Sequence, residues 1–303
     1  MKERKLQFSN TDLHVYIFDC ENPTGVVQIV HGVNEHGLRY VEFAHYLNKH
    51  GYTVVVHDHI SQGKSRRDTE ETVYFGKDGV SNLVEGVILV NQMIRTDYDN
   101  LPIIAFGHSL GAGILRKMLI DKEIPFDKVI LNGTGLSYAK GMRLIIGIGK
   151  IIKLFKPRKP SKFFDNIFRQ TQYRLREKVE MDHFIEWLTR DKSYTEINKK
   201  DAFLYIRLSV AAFVDMLTMF EYNNRLNKIE NMEKNLPSLL LSGTHDPATN
   251  FGEDVTNLFD VLQHIGVDVD YRLYPEGRHD TIQEINREQV FEDILEFIVK
   301  QKK

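Results

Sequence analysis

Pro102-Ile103-Ile104-Ala105-Phe106-Gly107-His108-Ser109-Leu110-Gly111-Ala112-Gly113-Ile114-Leu115-Arg116-Lys117-Met118-Leu119-Ile120 decides how this chain folds. Residues 102–106 form a continuous apolar run of strand length, the composition of a strand covered on both faces. Residues 110–122 follow with helical composition. Between them a serine sits in G-x-S-x-G. A strand that turns sharply into a helix needs minimal side chains beside the turn, which Gly107 and Gly111 supply, with Gly113 adding room. Such a turn lifts Ser109 clear of the sheet, and the helix start aims N–H groups at developing negative charge. Ser109 is therefore expected to be a nucleophile. His108 is adjacent to it and so points away, which suits packing beneath the turn.

Working outward, the same strand pattern recurs. Residues 26–30 (V-V-Q-I-V), 53–56 (T-V-V-V) and 128–131 (K-V-I-L) lie in the first half of the chain, and 238–241 (S-L-L-L) and 269–273 (V-D-Y-R-L) near its end. Helix-length segments lie between them, over 40–50, 80–97, 110–122, 254–265 and 288–300. Alternation of this kind predicts a mostly parallel, doubly wound α/β sheet with right-handed crossovers. The segment before Val26 reads as a leading antiparallel hairpin. From about Gly135 to Asn235 the alternation stops and only helical periodicity remains. The expected organisation is a catalytic domain of residues 1–134 and 236–303, with 135–235 as a helical cap.

The 303 residues include 42% hydrophobic and 27% charged residues, an ordinary globular balance. A net charge of −2 gives no pull toward nucleic acid. Cys20 is the single cysteine, which excludes an internal disulfide and suits a reducing compartment. The start, M-K-E-R-K-L-Q-F, has no apolar run after its charges, and no stretch is apolar enough to span a bilayer. The expected address is the cytoplasm.

The strand 26–30 runs into Val30-His31-Gly32-Val33. In an architecture built around a strand–serine–helix turn, the loop after this strand supplies one oxyanion donor and the residue after the serine supplies the other. The backbone N–H groups of Val33 and Leu110 are the expected pair. Gly32 allows close approach of the main chain, and His31 is expected to brace the loop. An acid and a histidine should follow on late strands. Leu239-Leu240-Leu241-Ser242-Gly243-Thr244-His245-Asp246 offers the acid at Asp246. Tyr271-Arg272-Leu273-Tyr274-Pro275-Glu276-Gly277-Arg278-His279-Asp280 offers His279. His279 would deprotonate Ser109, and Asp246 would hold its tautomer. His245 is the rival base, less well placed beside the acid. Asp280 is expected to be a solvated loop acid. His57-Asp58-His59 has the composition of a metal cluster, but adjacent residues on a strand end point in opposite directions and no third ligand is apparent, so no metal is expected. No cofactor is expected either.

The stretch His31-Gly32-Val33-Asn34-Glu35-His36-Gly37-Leu38-Arg39-Tyr40 resembles the H-G-x-x-E-H-x-x-R-Y signature of the monoacylglycerol lipase and lysophospholipase branch of α/β-hydrolases, also grouped with serine aminopeptidases. The resemblance continues through G-H-S-L-G, S-G-x-x-D at 242–246 and Y-P-E-G-R-H at 274–279. It departs from the family pattern at Asp58-His59-Ile60-Ser61-Gln62-Gly63-Lys64-Ser65, which lacks the usual arginine and first glycine. The resemblance implies an α/β-hydrolase fold and hydrolysis of lipid-like carboxylic esters, monoacylglycerol or lysophospholipid, without a cofactor. An aminopeptidase, or a binding protein of the same fold, are the alternatives. A peptidase would need cap acids to hold an amine, and Glu177, Glu180, Asp182 and Glu186 are the candidates, though in a basic helical stretch they also suit a solvated face.

Residues 141–164 carry seven basic residues and no acidic one. Ile148, Ile151, Ile152 and Phe155 recur at helical spacing, and Pro157 ends the helix. Such a face either packs within the cap or lies on a membrane surface.

Overall fold

Strand runs that are apolar at every position need cover on both faces, and the computed structural model supplies it. It describes residues 1–9, 11–67, 70–123, 125–137 and 141–300. In chain order the elements are β1 (Lys2–Phe8), β2 (Thr11–Phe18), β3 (Gly25–Val30), α1 (Val41–Lys49), β4 (Tyr52–His57), α2 (Val80–Asp97), β5 (Ile103–His108), α3 (Leu110–Asp121) and β6 (Lys128–Asn132). Then come α4 (Met142–Phe155), α5 (Lys162–Tyr173), α6 (Lys192–Lys200), α7 (Val210–Asn223) and α8 (Leu226–Ile229). The chain ends with β7 (Ser238–Gly243), α9 (Glu253–His264), β8 (Val269–Tyr274) and α10 (Arg287–Val299).

The eight strands form one sheet in the order β1-β2-β4-β3-β5-β6-β7-β8. β2 pairs antiparallel with β1 and β4, and every later pairing is parallel. Alternate residues feed opposite cores. Ile103 and Ala105 of β5, and Val129 and Leu131 of β6, pack with α2, α3 and α9. Ile104, Phe106 and Ile130 pack on the other face with Phe43 of α1 and Phe291 of α10. Each of these side chains larger than alanine contributes about 1.5–3 kcal/mol by leaving water.

The strand order reverses direction between β3 and β5, since β4 lies outside β3 on one side and β6 outside β5 on the other. A crevice opens at the carboxyl ends of strands at such a switch point. The 31–40 loop and Ser109 both emerge there. The chain between β6 and β7 contains helices and, among its described residues, strand-like pairing only as isolated bridges such as Val73 with Leu208. α7 docks closely on α3 because a Cβ at Gly113 would meet Phe220 Cε1 at 2.5 Å.

α4 has two apolar faces. Ile145, Ile146 and Ile152 turn inward with Gly149, which seats against Val214 and Phe164. Ile148, Ile151, Leu154 and Phe155 are 42%, 62%, 80% and 79% exposed. Ile152 therefore leaves the face expected for it, and the rest of that face is not packed within the insertion. Lys153 turns to pair with Asp215.

Candidate functional site

Ser109 stands between β5 and α3 at φ 51° and ψ −108°, a conformation that costs an L-residue energy and marks a held turn. Two features hold it. Its N–H donates to Asn132 O (2.9 Å), and Gly111 lies so close to the Val30 carbonyl that a Cβ would collide with it. Leu110 begins α3, so its N–H belongs to the unsatisfied first turn.

The 31–34 loop is clamped from both sides. Gly32 N–H donates to Glu35 Oε1, and Asn34 N–H donates to Gln62 Oε1 at 2.6 Å. Val33 lies between and lines the cavity at Ser109. His31 Nε2 accepts from His59 N–H (2.9 Å), and His59 Nε2 lies 3.0 Å from His31 O. These rings pack at 4.1 Å. Asp58 accepts from Tyr16 OH (3.1 Å) and Gly37 N–H (2.7 Å). Asp58 and His59 thus brace loops, whereas both ring nitrogens of the buried His57 lack a partner among the described residues. Gln62, in the segment that departs from the family pattern, is one of the clamps.

Asp246 follows β7 and is fully buried. Its Oδ1 accepts from Ala248 N–H (2.8 Å), which leaves Oδ2 for His279 Nδ1 at 2.8 Å. Burial works against a charged His279, but the charge and hydrogen bond of Asp246 outweigh it, and the imidazole is raised above its ordinary pKa of 6.5. His245 is half-buried, does not line the Ser109 cavity, and is lowered by desolvation. The Ser109 hydroxyl and His279 face the same cavity of about 630 Å³ with no hydrogen bond between them, among the described residues. Such contacts commonly tighten only when substrate is bound.

Trp187 and Asp280 flank His279, the first with no signal in the sequence and the second in a role other than the one expected. Trp187, from the insertion, stacks on the imidazole at 4.5 Å and 21°, and its carbonyl accepts from His279 N–H (3.3 Å). No spacing in the sequence pairs a lone tryptophan with a histidine 92 positions away. Asp280 is not a solvated loop acid but is buried, with Oδ2 accepting from Arg39 Nη2 at 2.9 Å. Arg39 also donates to Glu35 Oε2 (3.0 Å) and Gln283 Oε1 (2.9 Å). Its signal was present in the quoted R-Y motif, but the partner was not. His108 is buried behind the turn, its Nδ1 2.9 Å from Asn132 Nδ2, its ring 4.8 Å from that of His279.

Glu35, His108 and Asp280 offer donor atoms within 4.8 Å of one another, a spacing that could suit a metal. Both carboxylates already bind the Arg39 guanidinium, which supplies the compensating charge, so the cluster reads as an ion-pair network. The acids expected to hold an amine do not line the cavity. Glu177, Glu180 and Asp182 are exposed, and Glu186 accepts from His183 N–H at 3.0 Å.

Comparison with known proteins bears on the family and the fold. The family model described as serine aminopeptidase, S33, matches residues 21–286. A monoglyceride lipase homolog of Monkeypox virus is 25% identical over 257 residues, 85% of this chain and 82% of that protein. Monoglyceride lipase of Mus musculus is 29% identical over 109 residues, 36% of this chain and 34% of that enzyme. A thermostable carboxyl esterase from Bacillus coagulans in complex with glycerol superimposes with a TM-score of 0.89 at 22% identity, covering 98% and 97% of the two chains. A soluble variant of monoglyceride lipase from Saccharomyces cerevisiae gives 0.71 at 19% identity, covering 99% and 95%. The two solved structures speak for the fold, and the family match, which takes in the 31–40 loop, Ser109, Asp246 and His279, speaks for descent. The chain belongs to the serine aminopeptidase S33 family and has the α/β-hydrolase fold.

Proposed function

We propose that this chain is a carboxylic ester hydrolase that cleaves lipid-like esters, a monoacylglycerol or a lysophospholipid, through an acyl-Ser109 intermediate. The observation that carries the reading is the single cavity in which Ser109 and His279 meet a wall of Phe168, Phe213, Met216 and Phe220. His279, made more basic by Asp246, takes the Ser109 proton as Oγ attacks the ester carbonyl carbon. The oxyanion forms against the N–H groups of Val33 and Leu110, the first left uncommitted between the engaged Gly32 and Asn34 amides. The carbon–oxygen bond breaks, the alcohol leaves with the proton from His279, and water repeats the sequence to free the acid.

Residues 135–235 act in this scheme as a cap over the site. The exposed stripe of α4, with Lys150 and Lys156 beside it and the basic 158–162 segment after it, is the surface that would rest on a lipid aggregate and admit an acyl chain. The peptidase reading finds less support, since Glu177, Glu180 and Asp182 do not line the cavity.

Fluorophosphonate labelling tests the nucleophile, and a panel of esters against aminoacyl anilides tests the bond cleaved. Labelling at Ser109 and turnover of esters are expected, with Ser109→Ala folded, unlabelled and slower by about a thousandfold or more. Unimpaired ester turnover by that variant, or a clear preference for anilides, overturns the proposal.

A further inference from the structure

Arg116 lies seven residues after Ser109 on α3, on the same helix face and ~10 Å further along the axis. It is the largest fully buried side chain described, and it lines the cavity that holds Ser109. Its hydrogen bonds all go to neutral oxygens: Thr134 Oγ1 (3.3 Å), Gly135 O (2.7 Å), Asn223 O (2.9 Å) and Asn224 Oδ1 (3.2 Å). Its Nε is buried with no partner among the described residues. Among the described residues no carboxylate lies within 4 Å of it, and burial pulls it down to about 10. A buried charge without a counter-ion is costly, and a strut joining α3 to α7 could be made from a neutral donor.

A second guanidinium faces the same cavity. Arg174 donates to Asn250 Oδ1 (2.8 Å) and stacks over Phe251, again with no carboxylate within 4 Å among the described residues. Asp254, an acid on the same side, packs against Gly135; burial raises it to about 6, while the charge of Arg174 pulls the other way. The wall therefore carries Arg116 without a counter-ion and Arg174 with only the reluctant carboxyl of Asp254 for company, in a cavity lined by both apolar and polar side chains.

We propose that this wall binds an anionic substituent of the ester substrate, a phosphate or a carboxylate, with Arg116 and Arg174 as its counter-ions. The proposal rests on the ester hydrolase reading of Ser109 and narrows it: an acyl ester bearing an anion is the preferred substrate over a neutral glycerol ester. Asp254 opposes that anion when ionised.

The test compares four esters below their aggregation limits: 1-decanoylglycerol, 1-decanoylglycerol 3-phosphate, neutral 4-nitrophenyl hexanoate and mono-4-nitrophenyl adipate, the last carrying its anion on the acyl side. The wild-type chain is expected to favour the phosphate ester over decanoylglycerol, or the adipate over neutral 4-nitrophenyl hexanoate, in kcat/KM, and which of these matched pairs shows the preference tells phosphate from carboxylate. Arg174→Gln and Arg116→Lys should lower the anionic-to-neutral ratio of kcat/KM, the former by about tenfold or more, and Asp254→Asn should raise it. Inorganic phosphate or acetate should compete with decanoylglycerol in the wild type and less in Arg174→Gln, a readout that survives if the Arg116 variant fails to fold. Hydrolysis of the neutral esters with no anion preference, and ratios unmoved by Arg174→Gln and Asp254→Asn, overturns this inference while leaving the esterase reading intact. Failure to cleave any of the four overturns the esterase reading itself.

Discussion

Arg39 Nη2 lies 2.9 Å from Asp280 Oδ2, and this one contact ties the loop after β3 to the loop that carries His279. The same guanidinium holds Glu35, which in turn accepts the Gly32 N–H, and reaches Asn198 of the insertion. Oxyanion loop, base loop and inserted helices thus share one buried cation. Arg39→Met strands two buried carboxylates, Glu35 and Asp280, and should cost about 3–5 kcal/mol in a urea unfolding experiment. It should also lower kcat more than it raises KM, because it loosens the loops around the reacting atoms. Unchanged stability would mean the pair is not formed in solution.

Ser109 holds a positive φ that glycine adopts freely. Ser109→Gly should therefore be more stable than Ser109→Ala, by about 1 kcal/mol or more, although neither has a nucleophile. Thermal unfolding of the two inactive variants side by side checks this. Equal melting temperatures would argue against a strained turn.

The pH dependence follows from His279. Its raised pKa means the imidazole is protonated, and useless as a base, at and somewhat above pH 6.5, so kcat/KM should rise along an acid limb centred above that value. Asp246→Asn removes the charge that raises it. The remaining activity should be orders of magnitude lower, with its acid limb shifted downward. A wild-type limb below 6.5 would contradict the geometry.

Trp187 is the only tryptophan in the chain, and it stacks on His279. A protonated imidazole quenches a stacked indole more strongly than a neutral one. Intrinsic fluorescence should therefore increase as pH rises through the same value that governs the acid limb. His279→Ala should abolish that step. A titration that persists in the variant would assign it to another group.

The exposed stripe of α4 predicts binding to anionic vesicles that weakens with added salt. Ile151→Glu and Leu154→Glu, which touch no packed neighbour core, should reduce vesicle binding and lower turnover of aggregated long-chain esters more than of soluble short-chain ones. Equal losses on both substrate types would remove the surface from the mechanism.

Much of this was legible along the chain because its causes are local. A strand buried on both faces must be apolar throughout, a strand-to-helix turn at a serine must have glycines beside it, and the sheet then carries each strand's end to one edge. Those requirements yielded the alternating sheet, the turn at Ser109, the 31–33 loop and the late positions of Asp246 and His279. What remained hidden depends on partners distant in sequence. Arg-His-Asp after a turn reads as a polar loop, and only packing brings Arg39, 241 residues away, to bury Asp280. Trp187 meets His279 because the insertion folds back over the sheet edge. α4 is apolar on two faces, so periodicity cannot say which one is covered until α7 and Phe164 occupy it. Arg116 looks like any helix arginine until the fold encloses it among neutral oxygens, with no carboxylate beside it among the described residues. Backbone conformation and hydrophobic period are written in neighbouring residues, whereas the charge and contact environment of a side chain is decided only when the tertiary structure closes around it.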